Sequence, residues 1–243
     1  MTLADLHALL VARASTRAFA PTPLPRERLA ALFATAQRAA SWCNIQPWRV
    51  AVTEPPHTEI VRAALVAAAR GGLPSPDLPF PINYPAPYDQ HRRACGGALY
   101  AAMGIARDDK AGRYDAWLRN FALFDAPHVA IVSVDKRLGP YALIDVGVWL
   151  GTFLAAAAAD GVATCPMASA VAYPQAVRAH LSIPADHHLL FGIALGTPAD
   201  APANACRTDR APVEANVHWE GLSTDLPPRG HAPAGPPSDT RDP

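Results

Sequence analysis

The chain has 243 residues, and half of them are hydrophobic, which is enough for one domain with a sizeable core. Its basic and acidic residues balance at 21 each, so the net charge argues against nucleic acid or an anionic membrane surface as a partner. The four cysteines lie far apart and form no C-x-x-C pair, which argues against a metal site or a disulfide framework.

The start of the chain and its longest apolar stretch both favour a cytoplasmic protein without a membrane anchor. Residues 1–16 include Asp5, and their short apolar run is followed by Arg13 rather than by a small-residue cleavage site, so they make a poor secretory signal. The apolar stretch 146–159 is too short and too rich in small residues for a convincing membrane span. We therefore expect a cytoplasmic location.

The first third of the chain predicts three helices and one strand. Residues 3–12 and 23–41 carry hydrophobic residues at helical spacing, and residues 58–70 form an alanine-rich helix. Residues 49–53 have the composition of a strand. The prolines of residues 71–90 forbid regular structure in that segment.

Helices and short strands alternate in the rest of the chain. Residues 91–122 are helical with an interruption near Gly112, and the β-branched run 128–135 predicts a buried strand. Three shorter elements follow as strand, helix and strand, at 162–167, 173–183 and 188–196. Because helices outnumber short strands, the fold class is α+β.

One helix is apolar around most of its circumference. It spans residues 141–161 and is closed by Gly161 as a cap. Such a helix must be covered on all sides, either by the rest of one domain or by a partner subunit, and the pattern leaves both open. Residues 221–243 are rich in Pro, Gly and Ser and predict a disordered tail, which leaves residues 1–220 as the folded domain.

The common catalytic signatures are absent from the sequence. No G-x-G-x-x-G follows a strand, and neither a G-x-x-x-x-G-K phosphate loop nor a G-x-S-x-G nucleophile elbow occurs. His187 and His188 are adjacent on a predicted strand and point to opposite faces, so they do not suit one metal ion and are interpreted as surface histidines.

The segment RASTRAF, residues 13–19, places two arginines around two hydroxyl residues. Guanidinium groups and short hydroxyls at this spacing suit a phosphate group with a carbonyl edge nearby. The alternative is that a hydroxyl caps a following helix and the arginines are ordinary surface charges. Late in the chain, Arg207 and Arg210 form either a second cationic arm or a solvated turn.

Taken in order, RASTRAF, the helix after it, the stretch SWCNIQPWRV at 41–50, the late CPM and the final basic pair resemble the FMN-dependent nitroreductase family. The resemblance runs from about Leu6 to Val217. It implies an α+β fold with a mixed β-sheet surrounded by helices and a long buried helix in a dimer core. It also implies a homodimer with FMN bound at the subunit interface, and NADH or NADPH as the reductant.

The resemblance assigns the first arginine segment to FMN. Arg13 and Ser15 would face the phosphate, and Arg17 would reach the pyrimidine edge of the isoalloxazine, where a fixed cation stabilises the negative charge of the reduced ring. Ala14 occupies a position where the family often has a basic or polar residue.

The resemblance also gives SWCNIQPW a role, because in the family this turn comes from one subunit and lines the flavin pocket of the other. Asn44 and Gln46 would bond to polar groups of the flavin or of the backbone, and Trp48 would anchor the turn or simply pack in the core. Trp42 is bulky where the family often has a small residue, and it is interpreted as narrowing the substrate cleft. The matching positions are Ala40, Ser41, Trp42, Cys43, Asn44, Gln46, Pro47 and Trp48.

Three further places match flavin contacts of the family. Pro166, Met167 and Ala168 correspond to a loop whose backbone amides approach N5 and O4 of the flavin, and Asn120 corresponds to a flavin-contacting asparagine. Cys165 beside that loop is either a nucleophile or, as we favour, a buried structural thiol. The remaining matches, Arg207 and Arg210, would grip the phosphate.

The implied reaction is ping-pong transfer of hydride from NAD(P)H through FMN to a small-molecule oxidant such as a nitroarene or quinone. No side chain is needed as a catalytic acid or base, and no metal is expected. The alternatives are another flavin reaction on the same fold (dehalogenation, flavin breakdown or dehydrogenation of a heterocycle), a non-catalytic FMN-binding protein, or a protein without flavin.

Overall fold

The computed structural model describes residues 2–221 of the chain. Residues 2–208 lie in one compact unit, and residues 209–221 are the described part of a second unit that contains one 3-10 turn, Val213–Ala215. The disordered tail predicted for 221–243 lies outside the described residues, except for Gly221.

Three helices of the first third lie where their patterns predicted them. Helix α1 spans Leu3–Ala12 and begins at a capping box, in which the side chains of Thr2 and Asp5 each accept a backbone N–H of the other residue. Helix α2 spans Arg26–Ala36, and α3 spans His57–Gly71. Both bury their apolar residues on one face at spacings of three and four residues, as a surface helix does.

The interruption of the next helical region is not where the sequence placed it. Helix α4 spans Tyr88–Ala102 and α5 spans Lys110–Phe121. Gly104, with φ of +67°, follows the end of α4 in the left-handed conformation that glycine adopts at little cost. Asp109 caps α5 by accepting the N–H of Gly112 at 2.9 Å, so Gly112 lies in the first turn of α5 and the predicted break there is wrong.

A four-stranded sheet forms the centre of the unit, in the spatial order β1-β2-β4-β3. All three strand pairs are antiparallel. The sheet was predicted to be mixed, and among the described residues its parallel pairing is limited to an isolated bridge between Ser15 and Thr164. The strands are β1 (Arg49–Val52), β2 (His128–Asp135), β3 (Ala163–Met167) and β4 (His187–Gly196).

Strand β4 packs closely against the chain that follows β3. A Cβ atom added at Gly192 would lie 2.5 Å from the Cβ of Ala170 and 3.2 Å from Cδ1 of Ile131, so only glycine fits there. Ala170 belongs to the 3-10 turn Ser169–Val171, which directly follows residues 165–168, the CPMA segment. Because Gly192 has no side chain, the turn Ser169–Val171 can pack directly against β4.

The long apolar helix, α6, spans Pro140–Ala159, and the glycine cap predicted after it is present as Gly161 with φ of +70°. Its buried face packs on α2, where Phe33 of α2 stacks on Phe153 of α6 with 4.9 Å between ring centroids. The opposite face is exposed, and Tyr141 and Ile144 are each at least 60% accessible. The helix was predicted to be buried on all sides, and within this chain only one of its faces is buried.

Length and composition alone would allow α6 to cross a membrane, and it is the one helix of residues 2–221 for which this holds. The last helix, α7, is short and spans Pro174–Arg178. It lies inside the longer helix predicted for 173–183.

Candidate functional site

A cavity of about 260 Å³ lies between the end of α1, the start of β3 and the loop that follows β4. Arg13 and Ala14 of the predicted phosphate segment line it, together with Arg207 from the other end of the unit. Thr16, Thr164 and Asn204 add polar groups, and no acidic residue is among the lining.

Backbone pairing with β3 sets the position of the arginine segment. Arg13 ends α1 by donating its N–H to the carbonyl of Leu9 at 3.0 Å, and the chain then extends. Ser15 forms the parallel bridge with Thr164, and the N–H of Thr16 donates to the carbonyl of Thr164 at 2.9 Å. The segment is therefore held along β3, within reach of the CPMA positions.

Asn204 completes this arrangement, and sequence reasoning missed it. Its Oδ1 accepts the N–H groups of Arg17 at 2.7 Å and Ala18 at 3.1 Å, while its Nδ2 donates to the carbonyls of Ala18 and Ala199 at 2.9 and 2.8 Å. An asparagine amide carries both donors and an acceptor, so one side chain can join two loops. The only signal in the sequence was an asparagine in an alanine- and proline-rich loop.

The two arginines of the cavity have no acidic partner among the described residues. None of the ion pairs within residues 2–221 involves Arg13 or Arg207. Arg207 donates through Nη1 to the carbonyls of Asn204 and Cys206 at 2.8 and 3.0 Å, which orients its guanidinium group. Two uncompensated guanidinium groups at one concave surface favour an anion with several oxygens, such as a phosphate.

Arg17 faces a second, smaller cavity of about 30 Å³, which it lines with Arg119, Asn120 and several apolar side chains. Arg17 donates through Nη1 to the carbonyl of Ser15 at 3.4 Å and forms no ion pair within the described part of the chain, whereas Arg119 pairs with Asp125 at 3.0 Å. The structure thus brings together Arg17 and Asn120, which were predicted from distant segments. The Asn120 amide itself donates to two carbonyls of its own helix.

Cys165 is a buried thiol on β3, with 3% of its surface exposed. Burial raises its pKa to about 11, although Arg17, Ser15 and Arg13 oppose this shift. A thiol with this pKa is almost entirely protonated near neutral pH, which supports the structural interpretation over the nucleophile. Of its neighbours, Met167 is buried and Ala168 is exposed.

Alkylation should separate the cysteines by exposure. Cys43 and Cys95 are exposed, whereas Cys165 and Cys206 are buried. At about pH 8 only about one Cys165 thiol in a thousand is ionised, so iodoacetamide is expected to modify Cys43 and Cys95 and to spare Cys165. Mass spectrometry of the digested protein gives the readout, and labelling in denaturant is the control. Labelling of Cys165 as fast as Cys43 in the folded protein would contradict the structural assignment.

The second predicted segment forms a turn with unusual backbone. Cys43, Asn44 and Gln46 have φ of 46°, 56° and 48°, a left-handed conformation that is uncommon outside glycine. Ser41 stabilises it by accepting the Gln46 N–H at its Oγ at 3.0 Å. Residues other than glycine keep this left-handed conformation only where the surrounding structure enforces it, and such residues are often found at functional sites.

The turn is anchored at its end and exposed at its start. Trp48 is 3% exposed, donates its indole N–H to Oε1 of Gln37 and stacks near Trp149, which supports its interpretation as a packing residue. Trp42 is 62% exposed, and Ala40 and Asn44 are also at the surface. None of the residues 40–46 lines either of the two cavities.

Two further predictions concern the late arginine and the paired histidines. Arg210 belongs to the second unit, so its predicted contact with the phosphate stays a prediction.

His187 was interpreted as a surface residue, and this is wrong: it is 8% exposed, and its Nδ1 lies 3.2 Å from Oγ of Ser133. Strand β4 lies between β2 and β3, and its side chains are buried or half-buried along its whole length.

Comparison with known proteins identifies the family of this chain. The model of the nitroreductase family matches residues 10–197. Nitroreductase NfnB of Mycolicibacterium smegmatis is 34% identical over 213 residues, which cover 87% of this chain and 91% of that protein. The 4-nitrobenzoate reductase of Pseudomonas putida is 28% identical over 219 residues, which cover 90% and 96%.

A solved structure gives the same result in three dimensions. The crystal structure of the FMN and NADPH-dependent nitroreductase NfnB from sphigopyxis sp. strain HMH superposes with a TM-score of 0.85 and 33% identity, and the match covers 91% of this chain and 100% of that one. From the family match, the identity to relatives along nearly their whole length and the shared fold, we conclude that the chain belongs to the nitroreductase family.

Proposed function

We propose that the protein is an FMN-dependent NAD(P)H oxidoreductase that reduces nitroaromatic or quinone-like acceptors. The observation that carries this proposal is the cavity in which Arg13 and Arg207 present two guanidinium groups without an acidic partner among residues 2–221. It fits the phosphate end of FMN. Relatives named for the reduction of 4-nitrobenzoate and for dependence on FMN and NADPH support the choice of reaction.

The residues of the site would bind and orient the cofactor. Arg13 and Arg207 would hold the phosphate by charge-assisted hydrogen bonds, whereas Ser15, predicted as a further contact, does not line this cavity. When bound, FMN supplies the redox chemistry by taking two electrons from NAD(P)H and passing them to the acceptor. Arg17 would place a fixed positive charge in a small cavity with apolar walls, where a cation stabilises developing negative charge more strongly than it does in water.

We also propose that two copies of the chain pair through the exposed face of α6, so that the turn at 41–46 reaches the flavin pocket of the other copy. The exposed apolar side chains of this face support that arrangement, because such patches on a soluble domain mark interaction sites. They are Tyr141, Leu143, Ile144 and Val148. A cytoplasmic location is proposed on the exposed free thiols of Cys43 and Cys95, which a reducing compartment would preserve.

An absorption spectrum of the purified protein, followed by an acceptor screen with NADH and with NADPH, tests the proposal. We expect flavin absorption and steady NAD(P)H oxidation that depends on a nitroarene or a quinone. Colourless protein that does not take up added FMN would refute flavin binding. Flavin binding without turnover would favour a non-catalytic FMN-binding protein, and turnover restricted to halogenated or heterocyclic substrates would favour another flavin reaction.

Mixing two defective variants should restore activity if the sites are shared between subunits. Arg13→Ala and Asn44→Ala are each expected to impair activity, and after subunit exchange half of the dimers contain one copy of each. Such a dimer has one intact site and one doubly altered site, so the mixture should regain about a quarter of the wild-type activity. Heterodimers that form, as seen by native mass spectrometry, but regain no activity would place Arg13 and Asn44 in the same chain's site.

A further inference from the structure

A carboxylate in α6 has an unusual set of contacts. Asp145 is 6% exposed, and its Oδ1 accepts the backbone N–H of Trp42 at 2.9 Å. Its Oδ2 is buried and has no hydrogen-bond partner. No arginine, lysine or histidine of residues 2–221 forms an ion pair with it.

This environment is unfavourable for the stability of the fold. A buried carboxylate is stabilised when both of its oxygens accept hydrogen bonds or when a cation pairs with it, and here one oxygen has neither. A hydrophobic side chain of similar volume in such a place is often neutral or stabilising. The contacts of Asp145 are therefore better explained by what it holds than by its contribution to the core.

What Asp145 holds is the strained turn of the proposed flavin pocket. The hydrogen bonds from Gln46 to Ser41 and to Asn44 are internal to the turn and do not fix it to the rest of the protein. In the part of the chain that the structure describes, the bond from Trp42 to Asp145 is the hydrogen bond that joins the turn to α6.

The Trp42 indole also contacts α6. This ring packs against Tyr141, with centroids 5.4 Å apart and an angle of 51° between the ring planes. Tyr141 lies one helical turn before Asp145, so the two residues are neighbours on α6. The Trp42 backbone and its ring are thus attached at two neighbouring points of the same helix.

We propose that Asp145 is a positioning residue that holds the turn at 41–46 and directs Trp42 toward the acceptor, so that it determines which acceptors fit. This inference rests on the proposed function, because it assigns a selectivity role within that pocket. Asp145 itself contacts neither cofactor nor acceptor, since less than a tenth of it is accessible.

Hydrogen exchange tests the anchor without any turnover. In Asp145→Leu the Trp42 amide loses its acceptor, and its exchange is expected to accelerate by about ten- to hundredfold, as for loss of a hydrogen bond to a charged group. Asp145→Asn keeps an oxygen acceptor and should stay close to the wild type. Asp160→Asn is the matched control, because this exposed acid lies just past the opposite end of α6. Unchanged exchange in Asp145→Leu would overturn the proposal.

Steady-state kinetics tests the selectivity role. For Asp145→Leu we expect the ratio of kcat/KM between a slender nitrobenzene and a bulky quinone to change by about tenfold, mainly through KM, while the unfolding midpoint is unchanged or raised. Asp145→Asn, which keeps an oxygen acceptor, should retain the wild-type ratio. A loss of stability with an unchanged ratio would identify a merely structural residue and overturn the proposal.

The two measurements separate failure of this inference from failure of the proposed function. If the wild type reduces no acceptor, the proposed function and the selectivity role fall together, whereas unchanged exchange refutes the anchor alone. Should Asp145→Leu not fold, Asp145→Ala removes the same acceptor with a smaller side chain and is judged by the same two outcomes.

Discussion

Replacing Arg13 with alanine is expected to weaken FMN binding by on the order of a hundredfold, because a charge-assisted, bidentate contact to phosphate contributes about 2–3 kcal/mol. The guanidinium group lines the larger cavity and has no acidic partner within the described residues, so its removal leaves no protein group unpaired. The loss should therefore appear in binding and not in stability. Quenching of FMN fluorescence during titration of the apoprotein measures it.

Two comparisons make this result specific. Arg13→Lys keeps the charge but loses the planar fork, so it should fall between the wild type and Arg13→Ala. Arg70→Ala removes an exposed arginine from the last turn of α3, away from both cavities, and should bind FMN like the wild type. Equal affinities for Arg13→Ala and Arg70→Ala would show that the cavity is not the phosphate site.

Trp149→Ala is expected to lower the free energy of unfolding by about 3–5 kcal/mol, the usual cost of deleting a large buried aromatic side chain. Trp149 is 1% exposed, and its ring stacks on Phe153 and Phe33 and lies near Trp48. These contacts join α6 to α2 and to the end of the 41–48 segment. Urea denaturation of the apoprotein at one fixed protein concentration measures the loss, because dimerisation would make stability depend on concentration.

The control for Trp149 is a tryptophan at the surface. Trp117 in α5 is 40% exposed and has aromatic neighbours, so Trp117→Ala should cost about 1 kcal/mol. Similar midpoints for the two variants, with similar slopes, would contradict the view that the α2–α6 aromatic cluster carries much of the stability.

Local pattern was sufficient for most of the fold. Strand β2 was predicted at 128–135 and observed as His128–Asp135, because a continuous β-branched run has few alternatives. The break between α4 and α5 was misplaced because two glycines lie nearby and only the three-dimensional context decides that Gly104, and not Gly112, takes positive φ. The exposure of one face of α6 could not be derived from its composition, since an interface and a core are equally apolar.

The candidate site was predictable only as far as motifs reach. The arginine segment and the SWCNIQPW turn could be found because each is continuous in sequence. Asn204 and Asp145 were missed because their contacts span 187 and 103 residues, and a single asparagine or aspartate forms no periodic pattern. The ligand roles of the matched residues stay predictions, and the binding and exchange experiments above test them.

The bridge between Ser15 and Thr164 has a consequence for solubility. Strand β3 is an outer strand of the sheet, and its free side would offer unpaired N–H and carbonyl groups to another chain. The N-terminal segment shields part of that border through the bridge and the hydrogen bond from Thr16. Any change that detaches residues 13–17 would therefore remove the proposed anion contacts and at the same time expose a template for intermolecular β-pairing, so that loss of cofactor and aggregation would occur together.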